Sequence, residues 1–213
     1  MTAQQELDQL KQKREEYVRI SKENNMYEGT KKILTDMYPD TAHFIYELLQ
    51  NAEDMHASRV KFKLSKDKLV FYHNGTKRDF IIEDIDSITS IGNNSLKRDD
   101  KTSIGKFGVG FKAVYTYTRT PEIHSGEFDF RIKDMFVPDG EGVKKVAQPG
   151  KTVFVFPFDH ESKTPEQAVK EIQTGLLDFR CYRRKYRHLA RNFRKMSIKY
   201  IGFACQGCYI KIS

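Results

Sequence analysis

The chain has 213 residues, of which 38% are hydrophobic and 31% charged, and this suits a soluble domain of ordinary size with at most a short extension. The charged N-terminus has no apolar signal core, and no apolar run approaches the roughly 20 residues that cross a bilayer, so we expect a cytoplasmic protein with no membrane partner. The excess of positive charge behind the net charge of +8 lies in residues 180–213, which hold ten basic residues and no acid. Residues 1–179 hold 27 basic and 29 acidic residues, which excludes a strongly basic surface over that part of the chain.

Helices and strands follow one another along the first 91 residues. Three helices are predicted, over 3–24, over 29–38, and from a cap at Asp40 or Thr41 to about Met55. Two strands at 59–64 and 68–72 follow, because apolar and polar residues alternate there with the period of a half-buried strand. A further helix is predicted near 83–91.

The second half of the chain begins with a long polar segment. The polar run at 92–103 predicts a loop that is either functional or disordered, and a glycine cluster at 105–110 leads into an apolar stretch at 111–117. Strands are predicted at 122–125, 127–132 and 152–158, and a helical region at 165–195. Because hairpins alternate with helices, we expect an α/β (α+β) two-layer sandwich with a mixed, mainly antiparallel sheet and helices on one face.

Two features near the C-terminus offer weaker functional interpretations. The basic run at 180–195 could bind nucleic acid, although a solvated helix face is the favoured interpretation. Cys205 and Cys208 have the spacing of a metal or redox pair, but the sequence has no second pair to complete a zinc site, and we favour ordinary thiols.

The predicted third helix carries a polar stripe beside its apolar face. Glu47, Asn51 and Asp54 fall within an arc of roughly 60° of a helix. The adjoining arc is apolar and is expected to face the core; it contains Phe44, Ile45, Leu48, Ala52 and Met55. A carboxylate at the edge of a cavity can orient or deprotonate water, and an amide oxygen is a hard ligand suited to Mg²⁺. An amphipathic helix with no ligand is the alternative.

The glycine cluster is the second candidate site. Its residues are Gly105, Lys106, Phe107, Gly108, Val109, Gly110, Phe111 and Lys112. Glycines allow backbone N–H groups to close on phosphate oxygens. The spacing G-x-x-G-x-G reverses the dinucleotide fingerprint, and Phe111 stands where a P-loop requires Lys. Taken alone, the cluster could be a glycine-rich turn without a ligand.

Together the two segments resemble the nucleotide site of the GHKL family, which includes gyrase, heat-shock chaperones, histidine kinases and mismatch-repair proteins. The pattern is an E-x-x-x-N-x-x-D helix, an Asn-Gly turn after a strand, and G-x-F-G-V-G-F some thirty residues later. The wider pattern over residues 24–160 is most similar to the sacsin and NO VEIN group of large GHKL proteins. The resemblance implies a Bergerat-type fold that holds ATP under a flexible lid.

The resemblance also implies a role for each matching residue. Glu47 would be the general base for the attacking water, Asn51 would ligate Mg²⁺, and Asp54 would support the site. Gly75 would shape the floor under the adenine, and Thr152 would reach adenine through water. Residues 92–103 would be the lid, with Gly105, Gly108 and Gly110 at its hinge. Lys106 or Lys112 could replace the basic residue that a following domain usually supplies, or could face solvent.

One position departs from the family pattern. His73 stands where the family places the Asp that accepts a hydrogen bond from the adenine amino group. A neutral imidazole can accept one such bond, and Asn74 offers an amide oxygen; alternatively, His73 is a strand histidine without a ligand role. Adenine selectivity is therefore less firmly predicted than phosphate binding.

The leading hypothesis is a switch module that binds Mg-ATP or Mg-ADP and hydrolyses ATP slowly. A module that senses nucleotide without hydrolysis is the alternative, and a nucleic-acid binder is disfavoured. We expect an N-terminal helical extension at 1–24, the ATP-binding domain at 25–160 and a basic helical extension at 161–213. The conformational change caused by nucleotide would be passed to a second copy of the chain in a homodimer, to a downstream domain or to a partner protein.

Overall fold

A computed structural model describes residues 1–36, 44–75, 77–91, 110–185 and 197–201. The α-helices are α1 (Ala3–Glu23), α2 (Tyr27–Asp36), α3 (Phe44–Asp54), α4 (Ile82–Ile88) and α5 (Pro165–Lys185), and Gly110–Thr116 is a 3-10 helix. The strands are β1 (Arg59–Leu64), β2 (Lys68–His73), β3 (Glu122–Ser125), β4 (Phe128–Lys133), β5 (Val137–Asp139), β6 (Thr152–Pro157) and β7 (Ser197–Ile201).

The strands form one seven-stranded sheet in the order β5-β4-β3-β6-β2-β1-β7. Every neighbouring pair is antiparallel except β1 and β7, which are parallel. The prediction of a mixed, mainly antiparallel sheet is therefore confirmed. The central contact between β2 and β6 joins residues 79 to 89 positions apart, and β6 also pairs with β3.

One face of the sheet is buried and carries the core. In β1, the buried side chains of Val60, Phe62 and Leu64 alternate with exposed Arg59, Lys61 and Lys63, as the two-residue period predicts. The aromatic rings of neighbouring strands meet on this face, with Phe62 and Phe71 centroids 4.7 Å apart. Helix α3 covers the same layer, since Phe44 lies 5.8 Å from Phe156 in an edge contact. The two-layer α/β sandwich is confirmed.

Helix α1 begins with a capping box, in which the Thr2 hydroxyl accepts from Gln5 N–H and the Gln5 side chain accepts from Thr2 N–H. Its thin apolar stripe is buried at Leu7, Leu10 and Val18. Two ion pairs join the helix to the body: Lys11 Nζ lies 2.8 Å from Asp139 on β5, and Arg14 lies 2.8 Å from Asp86 on α4. The helix is therefore docked on the sheet edge.

Three features differ from the sequence-based expectation. Strands β5 and β7 were not predicted, because β5 has three residues with a central proline and β7 lies within the basic tail. The apolar stretch after the glycine cluster is a 3-10 helix. Helix α5 ends at Lys185, whereas a helical region to 195 was predicted; residues 186–196 lie outside the described residues. The predicted cap at Asp40 or Thr41 and the pair Cys205 and Cys208 also lie outside them.

Candidate functional site

Helix α3 places its polar stripe beside the core. The apolar residues assigned to the adjoining arc are all buried, namely Phe44, Ile45, Leu48, Ala52 and Met55. Glu47 and Asp54 are half-buried. Asn51 has only 3% of its surface exposed, although it is a polar residue in the middle of the helix. The stripe therefore lies at the edge of the buried face, and its middle residue is buried.

Asn51 has an unsatisfied oxygen. Its side-chain Oδ1 is buried and accepts no hydrogen bond from any residue in the described part of the chain. Buried polar atoms in native proteins are nearly always paired, and leaving one unpaired costs about 1–3 kcal/mol. An oxygen in this position is suited to a cation, a bound water or a ligand hydrogen.

The Glu47 carboxylate lies directly against the start of the 3-10 helix. A Cβ built on Gly110 would stand 2.0 Å from Glu47 Oε2 and 2.2 Å from its Cδ. Ordinary contact for a Cβ is 3.4 Å or more, so only glycine fits at position 110 with this carboxylate orientation. The structure therefore joins the two candidate segments of the sequence at one contact, between Glu47 and Gly110.

The two residues after Gly110 turn into the core. Phe111 packs against Phe154 of β6, with centroids 6.0 Å apart. Lys112 is fully buried, and its ammonium donates to the carbonyl oxygens of Ile88 (2.9 Å) and Met135 (2.5 Å). Burial lowers the pKa of Lys112 well below its usual value. This corrects both expectations for Lys112, because a side chain held by two carbonyls in the core neither faces solvent nor reaches a phosphate.

The rest of the glycine cluster, Gly105, Lys106, Phe107, Gly108 and Val109, lies outside the described residues, as does the predicted lid at 92–103. The phosphate-binding role of these residues remains a prediction. The part of the cluster that the structure describes begins at Gly110.

The turn after β2 holds His73 in a defined tautomer. His73 is buried, and its Nδ1 accepts a hydrogen bond from the backbone N–H of Gly75 at 3.1 Å. Burial lowers the pKa of His73 to about 4, so the ring is neutral at pH 7. Because Nδ1 accepts, the ring proton is on Nε2, and His73 can offer a ligand an N–H donor. The expectation that His73 acts as an acceptor toward adenine is therefore not supported.

The side chain of Asn74 is directed toward the start of β1. Its Oδ1 accepts from Arg59 N–H at 2.7 Å, and its Nδ2 donates to the Ser58 hydroxyl at 2.9 Å. This corrects the expectation that the Asn74 amide oxygen is available to a base, because both of its polar groups fasten the turn to the start of β1.

Gly75 stands at a close approach between the turn and the end of α3. A Cβ there would lie 2.9 Å from Met55 Cβ and 3.2 Å from both Met55 O and His73 Nδ1. A side chain at this position would push the turn away from the helix and disturb the hydrogen bond that sets the His73 tautomer. Gly75 thus allows the β2 turn to lie close to the C-terminal end of α3.

Thr152 belongs to a polar row across the buried sheet face. Ser125, Thr152 and His73 occupy one register row on β3, β6 and β2. The Ser125 and Thr152 hydroxyl oxygens are 2.7 Å apart, and both residues are buried. Phe80 N–H donates to Ser125 Oγ at 3.2 Å. Sequence reasoning found Thr152 and His73 but missed Ser125, because nothing local in the sequence shows that β3 pairs with β6.

The described residues contain no group of three or more His, Cys, Asp or Glu side chains placed to hold a metal ion. A divalent ion at the α3 stripe would therefore have few protein ligands and would depend on water and on the ligand's own oxygens. Among the described helices, none is both long enough and apolar enough to cross a membrane.

A family model and two known proteins match parts of this sequence. The family model described as Sacsin domain matches residues 70–188. Protein NO VEIN of Arabidopsis thaliana is 37% identical over 102 residues, covering 46% of this chain and 4% of that protein. Sacsin of Homo sapiens is 37% identical over 108 residues, covering 42% of this chain and 2% of that protein. The chain thus spans a few per cent of the length of these relatives.

A solved structure supports the fold. The crystal structure of the N-terminal domain of a DNA repair protein superposes with a TM-score of 0.51 at 10% identity, covering 86% of this chain and 56% of that one. The Sacsin-domain match extends over more than half of the chain and includes the β2 turn, Gly110 and the Ser125–Thr152 pair. The chain therefore belongs to the Sacsin domain family, within the sacsin and NO VEIN group of GHKL-type proteins.

Proposed function

We propose that this domain binds Mg-ATP between α3 and the buried face of the sheet, and that it acts as a nucleotide-driven switch that hydrolyses ATP slowly. The observation that carries the proposal is Asn51 Oδ1, which is buried beside the Glu47–Gly110 contact and has no hydrogen-bond partner among the described residues. A nucleotide with its metal ion would satisfy that oxygen.

The residues present fit Mg²⁺. This ion keeps several waters and is usually held by one or two protein oxygens together with substrate phosphates, so it does not need a cluster of carboxylates. Asn51 would hold it, with Glu47 and Asp54 on the same helix face to bind its waters. When bound, Mg²⁺ would neutralise charge on the phosphates.

Glu47 would accept the proton of the attacking water. Its carboxylate is half-buried, and its contact with Gly110 places it at the end of the glycine cluster, where the phosphates are expected. Gly110 keeps the backbone within van der Waals distance of that carboxylate. Positioning of the water would contribute most of the rate, as in other phosphoryl transfers to water.

The base would rest on the polar row of the sheet. His73 Nε2–H would donate to a ring nitrogen such as N1 of adenine, while the Ser125–Thr152 hydroxyl pair would accept from the exocyclic amine through water. Guanine presents an acceptor at position 6, so the same N–H donor would also tolerate it. We therefore expect weaker selection for adenine than an aspartate at position 73 would give.

The test separates binding from hydrolysis with one substitution. Glu47→Gln keeps the size of the side chain but cannot take a proton, so phosphate release should fall by about 10²- to 10⁴-fold. Affinity for Mg-ATP, measured on the same preparation, should stay within a few-fold. Asp54→Asn, on the same face but two turns further along, serves as the control and should retain more turnover. Wild-type turnover in Glu47→Gln would make Glu47 a structural carboxylate.

A module that senses nucleotide without hydrolysis is the second candidate. The burial of Lys112 favours it, because this removes one of the two lysines considered as replacements for the basic residue that contacts the terminal phosphate. An increase in melting temperature with Mg-ATP, together with no phosphate release above buffer, would establish this alternative.

A further inference from the structure

An open cavity lies beside helix α2 and the 3-10 helix. It has a volume of about 330 Å³ and is lined by α2, the 3-10 helix, the turn between β4 and β5, and the segment after β6. Its size is at the low end of the range for small-molecule sites. It shares no lining residue with the proposed nucleotide site, whose residues include Glu47, Asn51, His73 and Thr152.

An unpaired phenol lies in the wall of this cavity. Tyr115 is 4% exposed, and its hydroxyl is buried with no hydrogen-bond partner in the described structure. Burial raises the pKa of Tyr115 well above its usual value, so the hydroxyl keeps its proton and remains a donor. A buried O–H group is rarely left without an acceptor, so the missing partner of Tyr115 must come from outside the described residues.

Two other donor side chains line the same cavity. Lys31 of α2 lines the cavity, and its ammonium makes no ion pair or hydrogen bond within the described residues. His160 accepts at Nδ1 from Ser162 N–H at 3.2 Å, so its proton is on Nε2. Burial lowers the pKa of His160, and among the nearby charges Lys31, Lys163 and Arg119 lower it further while Glu161 raises it.

The two carboxylates of the cavity already have partners. Asp134 accepts from the Tyr27 hydroxyl at 3.1 Å and from Lys22 Nζ at 3.2 Å, and Glu161 forms an ion pair with Arg119. The cavity therefore has a surplus of donors, and an anion with several acceptor oxygens matches it. A phosphate group has that chemistry, and the Tyr27 and Tyr115 rings together with Met135 form an apolar wall for the remainder of a small molecule.

We propose that the cavity bounded by Lys31, Tyr115 and His160 is a second binding site, for a small phosphate-bearing molecule. The phosphate oxygens accept from the Lys31 ammonium, the Tyr115 hydroxyl and His160 Nε2–H. The tyrosine rings pack against the organic part of the ligand. The site is independent of the proposed nucleotide site.

Calorimetry with phenyl phosphate on the 213-residue chain tests the proposal, with inorganic phosphate as a second probe and chloride at matched ionic strength as the blank. Tyr115→Phe removes a single oxygen, and Lys31→Gln removes the charge while keeping most of the side-chain length. Each should weaken phenyl phosphate binding by about tenfold, because each removes a hydrogen bond to a charged group. Lys13→Gln, an exposed lysine on α1, is the matched control and should bind like wild type.

The stability of the same variants gives an independent reading. Because the Tyr115 hydroxyl has no partner in the described chain, Tyr115→Phe should leave the melting temperature of the free protein unchanged or raise it, while still losing affinity. Asn51→Ala should keep the phenyl phosphate affinity, which separates this site from the nucleotide site. Binding that is equal within twofold in wild type, Tyr115→Phe and Lys31→Gln, or no binding at millimolar phenyl phosphate, would overturn the proposal and leave a cavity that holds water.

Discussion

Gly110→Ala tests the contact that joins the two halves of the proposed site. The new Cβ would stand 2.0 Å from Glu47 Oε2, whereas ordinary contact begins at 3.4 Å, so the carboxylate must retreat by about 1.4 Å. The atoms in the way are the far end of a flexible side chain, and Glu47 is half-buried, so it can swing aside without disrupting the core. We therefore expect a large loss of activity with a small loss of stability.

The size of the loss follows from this displacement. A misplacement of about 1 Å in a positioned catalytic group can cost about 10²-fold in rate. Phosphate release by Gly110→Ala should therefore fall about 10²-fold or more, while the melting temperature stays within a few degrees of wild type. Gly29→Ala is the matched control, because a Cβ at Gly29 on α2 meets nothing within 4 Å. That variant should keep full turnover and gain up to about 1 kcal/mol of stability.

Shortening the carboxylate provides a further check. In Gly110→Ala/Glu47→Asp the acidic side chain is one methylene shorter, which relieves the clash but withdraws the carboxylate from the water. The double variant should regain stability without regaining rate. Full turnover in Gly110→Ala would refute the reasoning, because the Glu47 position seen here would then be irrelevant to hydrolysis.

Three further predictions follow from individual contacts. His73→Asp should raise the ratio of ATP affinity to GTP affinity, because a carboxylate accepts a hydrogen bond from the adenine amine whereas His73 Nε2–H donates one. If titrations give the same ratio for wild type and His73→Asp, position 73 does not contact the base. Burial opposes ionisation of Asp139, but Lys11 and Lys133 outweigh it and lower its pKa from 3.8 to about 2. The resulting stabilisation, about 2 kcal/mol, is complete above about pH 5 and is lost as the pH falls toward 2. Asp139→Asn should remove that pH dependence from the unfolding free energy, and an unchanged acid transition would contradict the assignment. Replacing the basic residues of 180–195 by glutamine, which keeps β7 paired with β1, should leave nucleotide binding intact and abolish only weak, salt-sensitive DNA binding. A tight sequence-selective DNA complex of the wild type at physiological salt would overturn that expectation.

Neutral burial of His73 also has a consequence for stability. Its folded-state pKa of about 4 lies below the ordinary value of 6.5, so the unfolded chain binds a proton that the folded chain does not. The unfolding free energy should therefore decrease as the pH falls from about 6.5 to about 4. His73→Asn, which cannot titrate, should lack this component in denaturant titrations across that range. A wild-type slope in the variant would place the titration on another group.

Local patterns were sufficient for most elements and for the α3 stripe. The side chain of Asn51 was predicted at the edge of the buried face because helical spacing alone determines that arc, and the structure buries it there. The half-buried strands were equally clear, since the alternation in β1 needs no knowledge of its neighbours. The resemblance of motifs assigned Glu47 and Gly110 to one nucleotide site, but their direct contact is visible only in the fold.

The features that sequence reasoning missed depend on distant partners. Lys112 is buried because carbonyl groups of Ile88 and Met135, more than twenty residues away on either side, meet at its ammonium. Ser125 joins the polar row because β3 pairs with β6, a pairing that local periodicity does not determine. The β5 strand is too short, and contains a proline, to show a period. In each case tertiary placement determines the role of the side chain.

The most direct test of the central claim is the magnesium dependence of nucleotide binding at Asn51. Calorimetric titrations of wild type and Asn51→Ala with ATP, each in Mg²⁺ and in EDTA, give four affinities. Because Asn51 Oδ1 is buried at the proposed site and has no partner in the described chain, wild type should bind more tightly with Mg²⁺, and Asn51→Ala should lose that difference. Equal wild-type affinities in Mg²⁺ and in EDTA, or an unchanged difference in Asn51→Ala, would contradict the assignment of Asn51 as the metal ligand.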